Sequence, residues 1–246
     1  MSQLLPTSST LMPKTGGASL PGTHAAPVEL PGEESLFEHF AWLYAFLREH
    51  IFRDDTQRIV QALWPEGAPP PPHARLMELG CGPGFYSCQI AHRFPELTVL
   101  GVDRSGRQLD WARAKAIVLR LRNCSFEKEN VLELSRGASG FEAVIASRLF
   151  TVLPEPERAV SEMHRILRPG GRCFVAEPRY ALWATLPLFA MWILAGATRR
   201  KNACREPGRA KVLSPRAFET LFASQPWRSM RTWQDGRYQY ALCEKG

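Results

Sequence analysis

The sequence lacks the features by which metal-binding and disulfide-stabilised domains are usually recognised. Its six cysteines include no Cys-x-x-Cys pair and no His/Cys spacing typical of zinc ligands. We therefore predict no metal site and no disulfide framework, and we expect reduced thiols. The 246 residues are 45% hydrophobic and 22% charged, which excludes a largely disordered chain and predicts one globular domain.

Acidic residues are fewer than basic ones, and the formal net charge is +7. This excess favours anionic surfaces, but it is too diffuse to indicate nucleic acid, and no aromatic-basic RNA-binding module is present. We predict a small-molecule partner and no nucleic-acid partner. The sequence does not indicate an oligomeric state.

Residues 1–33 are rich in Pro, Gly, Ser and Thr and show no hydrophobic periodicity. Such a segment cannot bury enough apolar surface to offset its ordering entropy, so it is predicted to be a disordered tail. It has neither the basic start and apolar run of a secretory signal nor the arginines of a transit peptide. We expect a cytoplasmic protein, with a peripheral position at the inner membrane surface as the alternative.

The apolar residues that follow this tail recur at the spacing typical of helices. A capping box formed by Ser35 and Glu38 precedes a helical stripe, a second helix is predicted over 55–63, and the prolines of 69–72 form a stiff connector. We divide 34–246 into a helical cap (34–66), a core (74–177) and an insertion (180–213).

Within the core, short apolar strands alternate with helical segments. Strands are predicted over 76–79, 98–102, 124–127, 143–146 and 172–176, and helices over 86–93, 108–121 and 157–167. A helix over 215–224 and strands over 230–233 and 238–243 follow. This alternation predicts an α/β fold whose parallel sheet has helices on both faces and binds its ligand at the carboxyl ends of the strands.

A glycine-rich loop lies where the first of these strands meets a helix. It reads Glu78-Leu79-Gly80-Cys81-Gly82-Pro83-Gly84, and Phe85 stands where a dinucleotide fingerprint would have its third glycine. Asp103 ends the second strand, nineteen positions after Gly84, where a carboxylate can bind ribose hydroxyls. Because Ser105 and Gln108 are predicted to form a capping box, Asp103 is not needed to cap the helix, and we expect it to bind a nucleoside.

Four motifs carry a family resemblance. The glycine loop, Gly101-Val102-Asp103, the stretch from Phe141 to Ser147 and Leu167-Arg168-Pro169-Gly170-Gly171 resemble, in order and spacing, the class I S-adenosylmethionine-dependent methyltransferases of the small-molecule, ubiquinone/menaquinone-type branch. The resemblance covers about 74–177. It implies a Rossmann-like, seven-stranded, mostly parallel sheet with one antiparallel strand, and S-adenosylmethionine as the cofactor.

The resemblance also implies site residues. Those expected at the methionine and ribose portions, the adenine and the amino-acid end of the cofactor are Glu78, Gly80, Cys81, Gly82, Gly84, Asp103, Arg104, Asn130, Val131 and Ser147. Leu167 to Gly171 is expected to be a structural turn. The acceptor pocket is expected to include Tyr44, Arg148, Phe189 and Trp192.

No general base stands out. His39, His50, His164 and Glu177 are all equally compatible with structural roles, and the catalytic residue stays unknown. The Asn/Asp-Pro-Pro-aromatic motif of base methyltransferases is replaced by Ala146-Ser147-Arg148-Leu149, which disfavours methylation of nucleic-acid bases.

The insertion contains seventeen uncharged residues, 181–197, followed by basic residues. It is predicted to be a lid over an apolar acceptor or an interfacial helix, rather than a membrane span. We thus expect methyl transfer to a small lipophilic or thiol-bearing acceptor. The alternatives are a membrane-surface lipid or quinone methyltransferase and a non-catalytic S-adenosylmethionine-binding regulatory protein.

Overall fold

The computed structural model describes residues 53–65, 68–181 and 211–246, with six further single positions of helical backbone at 42, 43, 46, 47, 189 and 193. All of them belong to one unit, Gly32–Gly246. The predicted tail, about half of the predicted cap and most of the predicted insertion lie outside the described residues.

Strands and helices alternate through most of the described chain. The strands are β1 (Arg75–Leu79), β2 (Thr98–Asp103), β3 (Cys124–Lys128), β4 (Phe141–Ser147), β5 (Leu167–Pro178), β6 (Trp227–Asp235) and β7 (Tyr238–Lys245). The helices are α1 (Thr56–Leu63), α2 (Phe85–Arg93), α3 (Gly106–Val118), α4 (Pro156–Ile166) and α5 (Pro215–Phe222). None of these helices has the length and apolar character needed to cross a membrane.

The strands form one seven-stranded sheet in the order β3-β2-β1-β4-β5-β7-β6. All neighbouring pairs are parallel except those made by β7, which runs antiparallel to both β5 and β6. The predicted mostly parallel sheet with one antiparallel strand is confirmed. Because β1 lies inside the sheet with helices on both faces, Leu76 and Met77 are both completely buried although they point to opposite faces.

Two hydrophobic layers hold the helices against the sheet. On one face, Val160 and Met163 of α4 and Phe222 of α5 are fully buried. On the other, Ile59 of α1 and Ile90 of α2 pack with the core residues of that face. The α/β architecture predicted from the alternation of periodicities is therefore observed, with the sheet as the middle layer.

Helix α3 begins earlier and ends earlier than the sequence predicts. Ser105 is its N-cap, and the side-chain oxygen of Ser105 accepts a hydrogen bond from the backbone N–H of Gln108 at 3.2 Å. The predicted cap is thus confirmed at Ser105, but the reciprocal bond of a capping box is not formed, because the backbone N–H of Ser105 donates to Asp103. It stops at Val118, and the left-handed Arg120, with a φ of +54°, turns the chain two residues later.

The turn predicted over Leu167 to Gly171 is wrong. These residues are part of β5, in which Leu167 pairs with Phe141 and Arg172 pairs with Ala143. The resulting shift of register is a bulge, and Gly170 provides the left-handed conformation, with a φ of +74°. The glycines therefore serve to bend a strand rather than to precede it.

Candidate active site

The candidate site is at the edge of the sheet where the parallel strands end. Leu79 of β1 pairs with Val102 of β2 and with Ala146 of β4, so these three strands finish level with one another. On the other side of β4, Ser147 pairs with Ala176 of β5. The residues that follow each strand are consequently collected along one edge, as predicted for the ligand site.

The glycine loop has a left-handed backbone at every glycine. Gly80, Gly82 and Gly84 have φ values of +64°, +52° and +73°, and Gly84 is the N-cap of α2. A Cβ atom added to Gly80 would lie 2.8 Å from Cδ1 of Leu149. Glycine is required here both by conformation and by the close approach of the loop after β4.

Asp103 joins the end of β2 to the glycine loop. Its Oδ2 accepts a hydrogen bond from the backbone N–H of Gly82 at 2.8 Å, and its Oδ1 accepts one from the backbone N–H of Ser105 at 2.9 Å. The expectation that the Ser105 cap leaves Asp103 without a structural task is therefore wrong. A carboxylate offers about four acceptor positions, so these two bonds alone do not exhaust its capacity.

Glu78 is in β1, directly before the glycines of the loop, and only 3% of its surface is exposed. Its Oε2 accepts hydrogen bonds from both the backbone N–H and the hydroxyl of Ser87 in the first turn of α2. Glu78 therefore fixes the start of α2 relative to β1. Ser87 is a partner that the sequence reading missed, although it is one helical turn after the loop.

Cys81 is also buried, and its backbone N–H donates to the carbonyl of Val102 at 3.0 Å. Burial raises the pKa of its thiol well above the ordinary value, and the negative charges of Asp103 and Glu78 add to the rise. Cys81 thus remains a thiol at neutral pH and has the character of a packing residue.

The segment after β3 is next to the end of β2, because the backbone N–H of Glu129 donates to the carbonyl of Asp103 at 3.1 Å. Asn130 is exposed, and its Oδ1 accepts a hydrogen bond from the backbone N–H of Leu132 at 3.1 Å. Val131 is buried and Arg104 is exposed. The roles of these three side chains at an adenine stay predictions.

At the end of β4, Ser147 and Arg148 are half-buried. Arg148 has a φ of +56°, an uncommon conformation for a residue with a side chain, and its guanidinium donates to the hydroxyl of Tyr238 at 3.0 Å. Tyr238 begins β7 and is a second residue that the sequence reading missed. Its distance of ninety positions from Arg148 leaves no local signal of the contact.

Glu177 ends β5 with a side chain that is 1% exposed. Its Oε1 accepts hydrogen bonds from the backbone N–H groups of Leu149 and Phe150 at 2.7 and 3.0 Å. Within the described part of the chain, its Oε2 has no hydrogen-bond partner. Burial raises the pKa of Glu177 to about 7, against the lowering effect of these backbone bonds and of Arg148.

Several of the remaining predicted residues lie outside the described part of the chain. Tyr44 and Trp192, like His39 and His50, lie outside the described residues. Phe189 is helical and 56% exposed, and its predicted role at the acceptor stays a prediction. His164 packs edge-on against Trp227, with ring centres 4.8 Å apart. Trp227 is the first residue of β6, so this contact is at the opposite edge of the sheet.

A cavity of about 790 Å³ lies elsewhere, between α1 and the strands β6 and β7. Its charged walls are largely paired internally: Arg53 contacts Asp55 at 3.1 Å and Arg172 contacts Glu244 at 3.0 Å. None of the predicted site residues that the structure describes lines it. We therefore place the candidate site at the carboxyl edge of the sheet, where the glycine loop and Asp103 meet.

Comparison with protein families gives a match that covers more than half of the chain. The "Methyltransferase domain" family model matches residues 71–225. Trans-aconitate 2-methyltransferase of Deinococcus radiodurans is 35% identical over 182 residues, which are 70% of this chain and 65% of that protein. Phosphatidylethanolamine N-methyltransferase of Cereibacter sphaeroides is 35% identical over 104 residues, 42% of this chain and 50% of that protein.

Demethylmenaquinone methyltransferase of Deinococcus radiodurans is 30% identical over 103 residues, covering 42% of each protein. The matches thus span less than two thirds of the length of these curated relatives.

Solved structures share the fold at low sequence identity. A putative S-adenosylmethionine-dependent methyltransferase of Methanococcus maripaludis superposes with a TM-score of 0.63 at 12% identity, covering 88% of this chain and 96% of that one. Phosphoethanolamine N-methyltransferase 2 of Haemonchus contortus, in complex with S-adenosylmethionine, superposes with a TM-score of 0.62 at 11% identity, covering 85% of this chain and 57% of that one. The chain therefore belongs to the methyltransferase domain family and has the Rossmann-like fold of the S-adenosylmethionine-dependent methyltransferases.

Proposed function

We propose that this protein transfers a methyl group from S-adenosylmethionine to a small acceptor that is lipophilic or carries a thiol. The hydrogen bond of 2.8 Å between Asp103 and the N–H of Gly82 carries the proposal. It brings a carboxylate suited to ribose hydroxyls onto a loop whose three glycines all have left-handed backbone. The fold and the family membership support the same donor.

The residues present fit this cofactor. Asp103 would accept hydrogen bonds from the ribose hydroxyls, while the backbone of Gly80, Gly82 and Gly84 would line the methionine portion. The adenine would be near Arg104, Asn130 and Val131, and the amino-acid end near Ser147. S-adenosylmethionine supplies an activated methyl group on its sulfonium, so the protein mainly has to orient the acceptor and exclude water.

The names of two relatives support a lipophilic acceptor, since one is named for demethylmenaquinone and the other for phosphatidylethanolamine. For this chain we propose that 181–197 covers such an acceptor as a lid. The segment follows β5, the strand whose end carries Glu177, and it is therefore joined to the candidate edge. A membrane-surface lipid or quinone methyltransferase is the corresponding alternative.

A carboxylate acceptor is a second candidate, favoured by Arg148. Its half-buried guanidinium is at the end of β4, and a relative is named for trans-aconitate. Arginine binds carboxylates through two parallel hydrogen bonds. An ionised carboxylate also needs no general base, which agrees with the absence of an identified base among the described residues at this edge.

The experiment is a donor-turnover assay with three separate acceptors. The protein and S-adenosylmethionine are incubated with a demethylated naphthoquinol, an aliphatic thiol or trans-aconitate, and S-adenosylhomocysteine is quantified. Methylation of the quinol or the thiol supports the main proposal, and methylation of trans-aconitate alone supports the second candidate. Cofactor binding without turnover on any of the three indicates the non-catalytic alternative, and failure to bind S-adenosylmethionine by calorimetry overturns the placement of the site.

A further inference from the structure

One helix and the turn after it carry an excess of positive charge. Residues 104–122, which we call the α3 surface, contain six of the Arg and Lys residues and one acidic residue, Asp110. This segment therefore carries a formal charge of +5, as does the segment 199–211. The basic residues are Arg104, Arg107, Arg113, Lys115, Arg120 and Arg122.

The same surface exposes large apolar side chains. Ile117 and Val118 are 76% and 79% exposed, and Trp111 and Leu119 are 49% and 39% exposed. The inner face of α3 packs against the domain, because Leu109, Ala112 and Ala116 are buried in the core. The exposed apolar residues of α3 are not part of this core, and exposed apolar surface can mark an interaction site.

We propose that the α3 surface docks the protein on a membrane of anionic phospholipids. A helix whose outer face combines arginines and lysines with Trp and aliphatic side chains is the kind that lies in the plane of a bilayer interface. Ile117, Val118 and Leu119 would enter the boundary between headgroups and acyl chains, and Arg120 and Arg122, which follow them in the chain, would bind the phosphates. This docking goes beyond methyl transfer and does not depend on it.

Charge argues against a second copy of the chain as the occupant. A two-fold interface centred on this surface would place two segments of charge +5 against each other. The aliphatic side chains argue against nucleic acid, since Ile117 and Val118 at 76% and 79% exposure gain nothing from contact with phosphates. An anionic bilayer would attract the basic residues through its headgroups and would bury the apolar residues beneath them.

The docking residues lie away from the candidate site. The helix begins beside Asp103, at the candidate site, and its 13 residues extend about 20 Å toward the opposite edge of the sheet. Ile117, Val118 and Leu119 are at that far end, so the proposed membrane contact and the candidate site are separate.

The test is co-sedimentation of the full chain with vesicles of phosphatidylcholine alone or with phosphatidylglycerol, at low and at high salt. We expect binding to the anionic vesicles that weakens with salt. The exposed pair Ile117 and Val118 is replaced in one variant (Ile117→Ser with Val118→Ser), and Arg120→Gln with Arg122→Gln forms a second. The arginine variant should lower the partition coefficient about 30-fold, and the apolar variant about tenfold or more.

Matched controls change residues outside the α3 surface. Val152→Ser removes another apolar side chain, 45% exposed, and Arg216→Gln removes an exposed arginine of α5. Both should bind vesicles like the unmodified protein, and circular dichroism should show that every variant is folded. Absence of binding to anionic vesicles overturns the proposal, as does equal binding to neutral ones.

Two further results would point to another explanation and so overturn the proposal. If both α3 variants bind vesicles as well as the unmodified protein, docking uses a different segment, such as 181–197. If duplex DNA competes fully for the surface and Ile117→Ser with Val118→Ser leaves vesicle binding unchanged, the surface is an electrostatic site for polyanions.

Discussion

Oε1 of Glu177 accepts a hydrogen bond from the backbone N–H of Leu149 at 2.7 Å. The side chain of Leu149 in turn occupies the space beside Gly80, where a Cβ would come within 2.8 Å of it. A buried carboxyl group at the end of β5 is thereby linked to the glycine loop after β1. The ionisation of Glu177 consequently bears on both the stability and the shape of the candidate site.

The free energy of unfolding should fall as pH rises toward 7. Burial raises the pKa of Glu177 to about 7 from the ordinary 4.5 of the unfolded chain. Between these values the folded protein holds a proton that the unfolded chain has released, so the stabilisation is complete below pH 4.5 and is lost as pH approaches 7. The total change is about 3 kcal/mol, measured by urea unfolding at a series of pH values.

Glu177→Gln should remove most of this pH dependence. The amide oxygen can still accept from Leu149 and Phe150, but the side chain no longer ionises. The variant should therefore be more stable than the unmodified protein at pH 8. An unchanged slope of the free energy of unfolding between pH 5 and 7 would show that Glu177 is not the titrating group.

Gly80→Ala should be more destabilising than Gly170→Ala. Both glycines have positive φ values, +64° and +74°, so both substitutions carry a similar conformational cost of about 1–2 kcal/mol. Only at Gly80 does the new Cβ meet a side chain, while nothing lies within 4 Å at Gly170. Urea unfolding should show an additional loss of about 1–3 kcal/mol for Gly80→Ala, and equal losses would contradict this packing.

Asp103→Ala should weaken binding of S-adenosylmethionine by about 1–3 kcal/mol, because ribose hydroxyls would lose a charged acceptor and the N–H of Gly82 would lose its partner. Isothermal titration calorimetry measures the change. Asp110→Ala is the control, since this exposed carboxylate of α3 pairs with Arg113. Unchanged donor affinity in Asp103→Ala would remove Asp103 from the site.

Arg148→Ala should raise the KM for the acceptor and leave the Kd for S-adenosylmethionine within about twofold, because Arg148 is at the end of β4 and not in the glycine loop. Tyr238→Phe is the matched variant, which keeps the positive charge and removes only the hydrogen bond of 3.0 Å. Its effect on KM should be smaller. A change confined to donor affinity would reassign Arg148 to the cofactor.

Replacing Phe189 and Trp192 by Ser tests the proposed lid. If 181–197 covers the acceptor, the double variant should raise the acceptor KM or lower kcat while donor affinity stays within about twofold. Unchanged steady-state kinetics with a soluble acceptor would reject the lid, and vesicle binding by the same variant would show whether the segment has an interfacial role instead.

Much of the fold could be predicted because its signals are local. The short strands β1 and β4 are apolar on both faces, and Ser105 and Ser214 each cap a helix that begins at the next residue. The errors have a physical cause as well. The stretch from Leu167 to Gly171 contains Pro and Gly, which favour turns, but Leu167 pairs with Phe141 and the next residue after the stretch, Arg172, pairs with Ala143, so the stretch is a bulge within a strand.

The sequence predicted those parts of the candidate site that lie at or directly after the end of a strand. The glycine loop and Asp103 are in this group, since topology alone brings them to one edge. The contacts of Glu177 with Leu149 and of Arg148 with Tyr238 join residues 28 and 90 positions apart. Such pairs depend on register and side-chain length, which composition and periodicity do not encode.

The position of β7 between β5 and β6 has a consequence for the order of events during synthesis. Strand β6 emerges from the ribosome before β7, yet β7 is its only neighbour among the described strands. Until β7 is made, β6 has none of these strands to pair with and the edge of β5 is open. The hairpin at Gly236 can form only after both of its strands are made, so until then the nascent chain presents an unpaired edge of β5 that is vulnerable to aggregation.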